Sequence, residues 1–286
     1  MISDLLNKSK TSISFEVSPP KTEDEFNAVF AKLDSLARLN PDFISCTYGA
    51  GGSKAGKTAE ITSYIQHQLK IDAIAHMTCV GFKSADLKEN CKLLEKESIK
   101  YVMALRGDRP MAMTDEQYNG REFFYASDMV RYLKANTLLQ IAGACYPEKH
   151  YEAESFDNDI IHLKEKVDAG VSFLITQLFF DNDIFYRFME RTADAGITVP
   201  ICAGIMPITS AKQIGTSVNL SGSSVPKKLA DIIANYGDNP EDMRKAGIDY
   251  AVRQILDLKE HGVDGIHIYT MNRPKTTAEI VAQIQK

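Results

Sequence analysis

The chain has 286 residues, 44% hydrophobic and 25% charged, with 33 Lys and Arg against 38 Asp and Glu for a net charge of −5. This is the composition of an ordinary globular protein and excludes collagen-like, disordered and low-complexity chains. The acidic balance argues against a nucleic-acid partner, and the absence of any run near ~18 apolar residues argues against a membrane span.

In chain order, the first apolar, β-branched run is Ser12 to Ser18, predicted as a strand. Glu25 to Leu39 follows, with apolar residues at Phe26, Val29, Phe30, Leu33 and Leu36, a helical spacing. A second strand is predicted at Phe43 to Thr47, then a Gly-rich stretch from Gly51 to Thr58 that opens a helix. Strands at Ala73 to Val80, Tyr101 to Arg106, Leu139 to Tyr146 and Phe173 to Phe180 alternate with helices at Ala85 to Glu97, Ser127 to Ala135, Asp157 to Ala169 and Asp183 to Ala195. Ser84, Ser127 and Asp157 are expected to cap their helices. Gly170 and Gly196 fall where a left-handed residue ends a helix. After a strand at Val199 to Ile205, the interval from Pro207 to Gly262 has room for two or three inserted helices. A Ser/Gly-rich break at Ser217 to Ser224 and a turn at Gly237 to Pro240 divide it, and Gly265 to Tyr269 is the last strand.

Most of these runs are continuously apolar, as strands buried on both faces read. Eight strands alternating with helices predict an α/β fold: a (β/α)8 TIM barrel with extra helices before the last strand. An open doubly wound sheet is the alternative. No linker stands out, so one domain over 1–286 is expected. The barrel predicts functional groups at the C-terminal strand ends. Glu16, Thr47, Tyr48, His76, Arg106, Asp108, Tyr146, Gln177, Asp181, Tyr269 and Arg273 all fall there. Polar groups in apolar runs are costly without partners, which points to one shared polar site.

Each of these groups has a functional and a structural reading. Glu16, flanked by Phe15 and Val17 and followed by Pro19-Pro20, is either a desolvated general acid or a carboxylate paired with a cation. Arg106-Gly107-Asp108 either grips a phosphate or carboxylate, with Gly107 letting a flat ring approach, or forms an Arg–Asp structural pair. Gln177 either reads the edge of a heterocycle or is a satisfied core amide. His76 alone reads as a core histidine, and Asp159 and Lys166 as a solvated helix face. Gly51 to Thr58 formally matches the phosphate loop GxxxxGK[ST]. That makes a nucleotide triphosphatase the rival function. Against it, the loop follows the second strand, Gln177 interrupts the run before Asp181, and Glu16, His76, Tyr146 and Tyr269 are left without roles. Cys46, Cys79, Cys91, Cys145 and Cys202 are widely spaced without a CxxC pair and read as reduced cytoplasmic thiols. Six histidines without HExxH or a His/Cys cluster predict no metal site.

Taken together, Ser14-Phe15-Glu16 with Pro19-Pro20, Thr47 to Gly52, His76-Met77-Thr78-Cys79, Ala104 to Asp108 and Tyr125 to Asp128 resemble the flavin-dependent methylenetetrahydrofolate reductases. The similarity continues through Tyr146-Pro147-Glu148, Lys166 to Gly170, Ile175 to Asp181, Gly204 to Pro207 and Tyr269-Thr270-Met271-Asn272-Arg273, and the length resembles the bacterial type without a C-terminal regulatory domain. The resemblance implies a barrel with non-covalent FAD at the strand ends, reduced by NADH or NADPH and reoxidised by a folate substrate. It implies that Glu16 protonates the folate nitrogen, that Asp108 holds the pterin edge beside the flavin, and that Gln177 contacts folate or nicotinamide. Thr47, Tyr48, Ala50, His76, Arg106, Gly107, Asp108, Tyr125, Ala126, Tyr146, His150, Asp159 and Lys166 match flavin-binding positions. Tyr269 and Arg273 match substrate contacts, alongside Glu16, Asp108 and Gln177. Ile208 to Ala211 replaces an aromatic found in some relatives. His162 and Glu165 stand where some relatives carry amide or basic residues, and both are left out of the expected site. A homo-oligomer in the cytoplasm, supplying methyl groups for methionine synthesis, completes the expectation.

Overall fold

A computed structural model describes residues 6, 10–20, 22, 25–48 and 55–285. Eight parallel strands close into a barrel in chain order: β1 Ser12–Val17, β2 Phe43–Cys46, β3 Asp72–Thr78, β4 Tyr101–Leu105, β5 Gln140–Cys145, β6 Phe173–Thr176, β7 Ile201–Ile205 and β8 Gly265–Tyr269. Closure pairs β1 with β8, Glu16 opposite Tyr269. The helices are α1 Phe26–Ala37, α2 Ala55–His67, α3 Ser84–Lys96, α4 Asp115–Asn119, α5 Ala126–Asn136, α6 Phe156–Asp168, α7 Asn182–Asp194, α8 Ala211–Ser221, α9 Lys227–Tyr236, α10 Pro240–Glu260 and α11 Pro274–Ile284. The TIM-barrel expectation holds, and the insertion before the last strand is three helices, α8 to α10. The short α4 and the terminal α11 were not expected.

The continuous apolar runs have a simple cause. Phe43, Ile74, Met103, Ala142, Phe173, Ile175 and Cys202 cluster inside the barrel. Their strand neighbours Ile44, Ala73, Ala75, Val102, Ala104, Ile141, Leu174, Ile201 and Ala203 face the helices in a second, larger cluster. Both faces are therefore dry, and alternation is lost from the sequence. A small polar cluster sits in the barrel interior. His267 is fully buried, with Nδ1 2.7 Å from Ser14 Oγ and Nε2 3.2 Å from Ser45 Oγ. Burial pushes its pKa down to about 3, so the ring is neutral.

Two expectations need correction. The sixth strand ends at Thr176, not Phe180. Side chains of the inserted helices and the loop after α8 take the carbonyls that would have extended its ladder. Ser223 Oγ donates to Leu178 O (2.7 Å), Gln254 Nε2 to Phe179 O (3.0 Å) and Tyr250 Oη to Phe180 O. Asp181 then caps α7 by accepting from Asp183 N at 3.1 Å. The helix caps also differ. Lys83, Tyr125 and Ser155 occupy the cap positions. At two of them the carboxylate three residues on, Asp86 or Asp128, accepts the cap's own N–H instead of a hydroxyl capping the helix. Gly170 and Gly196 do take positive φ, +125° and +69°.

The helix α10 anchors the insertion by direct backbone approach. A Cβ at Gly247 would lie 1.7 Å from the Ile208 carbonyl, so only glycine lets this helix close on the β7 exit.

Candidate active site

The C-terminal strand ends carry two features. The first is a cavity of about 390 Å³ between the ends of β4 and β5 and the helices α5 and α6. Arg106, Tyr125, Ala126, Tyr146, His150, Asp159 and Lys166 all line it. Helix α6 contributes Asn158, Asp159, His162, Leu163 and Lys166, which recur on one helical face. The start of α5 brings Tyr125, Ala126 and Ser127 to the wall.

The electrostatics of this cavity are mixed. Arg106 does not pair with Asp108. Its guanidinium forms a two-pronged pair with Glu152, Nη2 to Oε1 at 2.9 Å and Nη1 to Oε2. Hydrogen bonding to Arg106 holds Glu152 down at about 2. Lys166 is not a solvated helix residue: its Nζ donates to the Ala144 carbonyl, and burial lowers its pKa. Burial also raises Asp159, which accepts from His150 N at 3.2 Å. The His150 ring meets Tyr146 edge-on at 4.8 Å. Position 162 is in the cavity wall after all. The His162 ring stacks on Tyr125 at 5.8 Å and 15°, and its Nδ1 lies 3.2 Å from Glu165. Its spacing of three and four residues from Asp159 and Lys166 was the available signal. Asn158 carries the same spacing signal, whereas Glu152, in a loop, carried none.

The second feature is the barrel mouth. Glu16 pairs with no Lys or Arg among the described residues, and its Oε2 lies 3.7 Å from His76 Nε2. Burial pushes Glu16 up to about 8 and His76 down to about 4. At neutral pH the acid therefore keeps its proton and the imidazole is uncharged. His76 Nε2 is buried and makes no hydrogen bond within the described residues. Tyr269 closes the mouth from β8, its hydroxyl donating to Thr176 O at 2.6 Å. Its pKa is raised first by burial and then by Glu16, Cys145 and Tyr146, which ties the mouth to the cavity side.

The remaining expected residues spread around this rim. Thr47 N donates to Val17 O at 2.9 Å, holding β1 and β2 together at their ends. The Tyr48 ring packs edge-on against Phe82 at 5.9 Å, away from the cavity lining. Gly107 has φ +81°, and a Cβ there would lie 2.9 Å from Thr78 Cβ, so its glycine is required by the chain itself. Asp108 is exposed at the rim. Gln177 Oε1 accepts from Leu178 N at 2.8 Å. Arg273 is exposed, and its Nη1 donates to Thr209 Oγ1 at 2.7 Å. Ala50, Gly51 and Gly52 lie outside the described residues, while Gly56 of the formal phosphate loop sits in the first turn of α2. Thr58 of that loop is buried and donates to the Thr47 carbonyl at 3.1 Å, while Lys57 lies 5.5 Å over the Phe26 ring. No group of three or more potential metal ligands occurs among the described residues. None of the described helices is long and apolar enough to cross a membrane.

A family model described as methylenetetrahydrofolate reductase matches residues 1–285. The chain is 34% identical to a 5,10-methylenetetrahydrofolate reductase of Pectobacterium carotovorum, covering 95% of this chain and 89% of that protein. It is 33% identical to the 5,10-methylenetetrahydrofolate reductase of Escherichia coli K12, covering 97% and 94% respectively. It is 32% identical to methylenetetrahydrofolate reductase (NADH) 1 of Arabidopsis thaliana, over 99% of this chain but 50% of the plant protein. Among solved structures, a Clostridium thermocellum protein described as binding two copies of 5-methyl-5,6,7,8-tetrahydrofolic acid superposes with a TM-score of 0.69. The identity is 15%, covering 99% and 97% of the two chains, a likeness of fold. None of these matches supports the phosphate-loop alternative.

Proposed function

The chain belongs to the methylenetetrahydrofolate reductase family, and from that membership we propose that it reduces 5,10-methylenetetrahydrofolate to 5-methyltetrahydrofolate with bound FAD and NADH or NADPH as electron donor. The residues present fit such a cofactor. The cavity volume lies in the range of small-molecule sites. Its wall combines aromatic faces at Tyr125 and Tyr146 with the cations Arg106 and Lys166. A planar ring system and a diphosphate need that combination. The orphaned Nε2 of His76 offers a further polar contact at the mouth.

When bound, the flavin carries the hydride between nicotinamide and folate, which makes the kinetics ping-pong. The protein's own contribution is acid catalysis and orientation. Glu16, protonated below about pH 8, gives its proton to the folate nitrogen at the one-carbon bridge. The carbon–nitrogen bond breaks, and the iminium left on the other nitrogen is the hydride acceptor. Asp108 and Gln177 orient the pterin, and Tyr269 and Arg273 bound the folate from the β8 side. Thr47, Tyr48, Ala50, Gly107, Ala126, His150 and Asp159 complete the flavin contacts. The reading includes one catalytic domain over 1–286, homo-oligomeric and cytoplasmic, feeding methionine synthesis.

The observation that carries this proposal is a carboxyl held in its protonated form beside a neutral imidazole at the barrel mouth. Glu16→Gln tests it by rapid mixing of the two half-reactions. Flavin reduction by NADH is expected within about two-fold of wild type, and reoxidation by methylenetetrahydrofolate is expected to fall by about 10²-fold or more. Equal loss of both half-reactions would remove Glu16 from the acid role.

A further inference from the structure

The strand end that carries Glu16 has an unusual hydrogen-bonding problem. Beyond Val17 the chain runs Ser18-Pro19-Pro20, and neither proline has an N–H to continue a ladder. On the neighbouring side β8 stops at Tyr269. Met271 and Asn272 then take left-handed φ values of +50° and +54°, so the ladder between β1 and β8 ends there. Side chains replace it. Thr270 Oγ1 donates to the Glu16 carbonyl at 2.6 Å, and Thr270 N approaches the same oxygen at 3.3 Å. The Asn272 carboxamide takes both backbone groups of Ser18: Oδ1 accepts from Ser18 N at 3.1 Å, and Nδ2 donates to Ser18 O at 2.8 Å. One amide side chain thus imitates the next rung of a parallel strand. On the other flank, Thr47 N holds Val17 O at 2.9 Å.

From this arrangement we infer that Thr270 and Asn272 are positioning residues for the acid: they clamp the Glu16–Ser18 backbone so that the carboxyl points into the mouth beside His76. The left-handed backbone explains the residue type. Asn tolerates this conformation better than other side chains that carry both a donor and an acceptor. The same turn also sets Arg273, whose N donates to Thr270 O at 2.9 Å and whose Nη1 reaches Thr209. Acid and guanidinium are therefore both held by one turn, and a shift of that turn moves both. Thr270 is buried, so its hydroxyl has no water to turn to if the bond to Glu16 is lost.

The inference rests on the reductase reading for its kinetic consequence but not for its geometry, and the test separates the two. Thr270→Val removes the donor at constant shape, Thr270→Ser keeps it, and Asn272→Gly keeps the left-handed backbone while deleting both contacts to Ser18. In flavin-free protein, the Glu16 carboxyl is titrated by infrared difference spectroscopy against Glu16→Gln. Release of the clamp lets water reach the carboxyl, so the midpoint is expected to fall by about one pH unit in Thr270→Val and Asn272→Gly and to stay in Thr270→Ser. In flavin-loaded protein, reoxidation by methylenetetrahydrofolate is expected to slow about ten-fold or more in the first two variants, with reduction by NADH nearly unchanged. Unaltered midpoints and reoxidation rates with only a lower melting temperature would overturn the inference, as would parallel loss of both half-reactions. If wild type shows no folate-dependent reoxidation, the reductase reading fails, and the carboxyl midpoint alone decides the clamp.

Discussion

Glu16 and His76 illustrate how burial alone sets opposite protonation states in neighbouring groups. Both are desolvated, so each is pushed toward neutrality: the acid up to about 8, the imidazole down to about 4. This has consequences for stability. The folded protein holds a proton on Glu16 that the unfolded chain has released, so stability falls as pH rises from about 4.5 to about 8. His76 acts the other way between about 4 and 6.5, where the unfolded chain binds the extra proton and stability rises with pH. Glu16→Gln removes only the first effect. Urea denaturation of the variant is expected to gain on wild type steadily between pH 6.5 and 8, and a constant difference across that window would contradict the raised pKa. Activity follows the same titration: the folate half-reaction is expected to fall above about pH 8 while flavin reduction does not. In the sequence, Glu16 was visible as an acid in an apolar strand end. Its partner was not, because His76 reaches it across β2 and only the closed register brings the two within 3.7 Å. Likewise Arg106 could be read as a cation at a strand exit, but its mate Glu152 lies 46 residues away in a loop without any pattern.

At the level of elements, strands were the most legible feature, since a run buried on both faces is simply apolar. Helix caps and strand exits were less legible, because they depend on side chains that arrive from elsewhere. The sixth run shows why. Phe173 to Phe180 reads as one apolar strand, yet its last carbonyls are taken by Ser223, Gln254 and Tyr250. The strand therefore stops before Gln177, whose Oε1 accepts from Leu178 N. Gln254→Met keeps the volume and leaves the buried Phe179 carbonyl without its donor. It is expected to cost about 1–3 kcal/mol in urea denaturation, and a cost near zero would show that water replaces the amide. Gly204 makes a related point on β7. A Cβ there would lie 2.3 Å from Thr176 O and 2.7 Å from the Tyr269 hydroxyl. Gly204→Ala is expected to destabilise by about 1–3 kcal/mol and to weaken folate binding more than flavin binding, which equilibrium titrations of each ligand would check.

For the molecule as a whole, barrel closure is the step that assembles the site, because Glu16 sits on the first strand and Tyr269 on the last. The five cysteines report on that closure. All are buried and unpaired, and desolvation raises their pKa values, Cys79 to about 12 and Cys91 to about 11. A thiol reagent is expected to leave them untouched in the native protein and to titrate all five in denaturant; rapid labelling in the native state would reveal a looser barrel. The cavity beside β4 and β5 is also a property of the whole. Its wall gathers Arg106, Tyr125, Tyr146, His150, Asp159, His162 and Lys166 from elements scattered over about a fifth of the chain. The family resemblance picked out all of these but His162, whereas spacing alone left Asp159 and Lys166 as a solvated face. The most direct measurement is the anaerobic visible spectrum of the purified protein with NADH and then methylenetetrahydrofolate added. The account predicts a yellow protein that bleaches with the first and regains its colour with the second; a colourless protein, or one that stays bleached after folate is added, would contradict it.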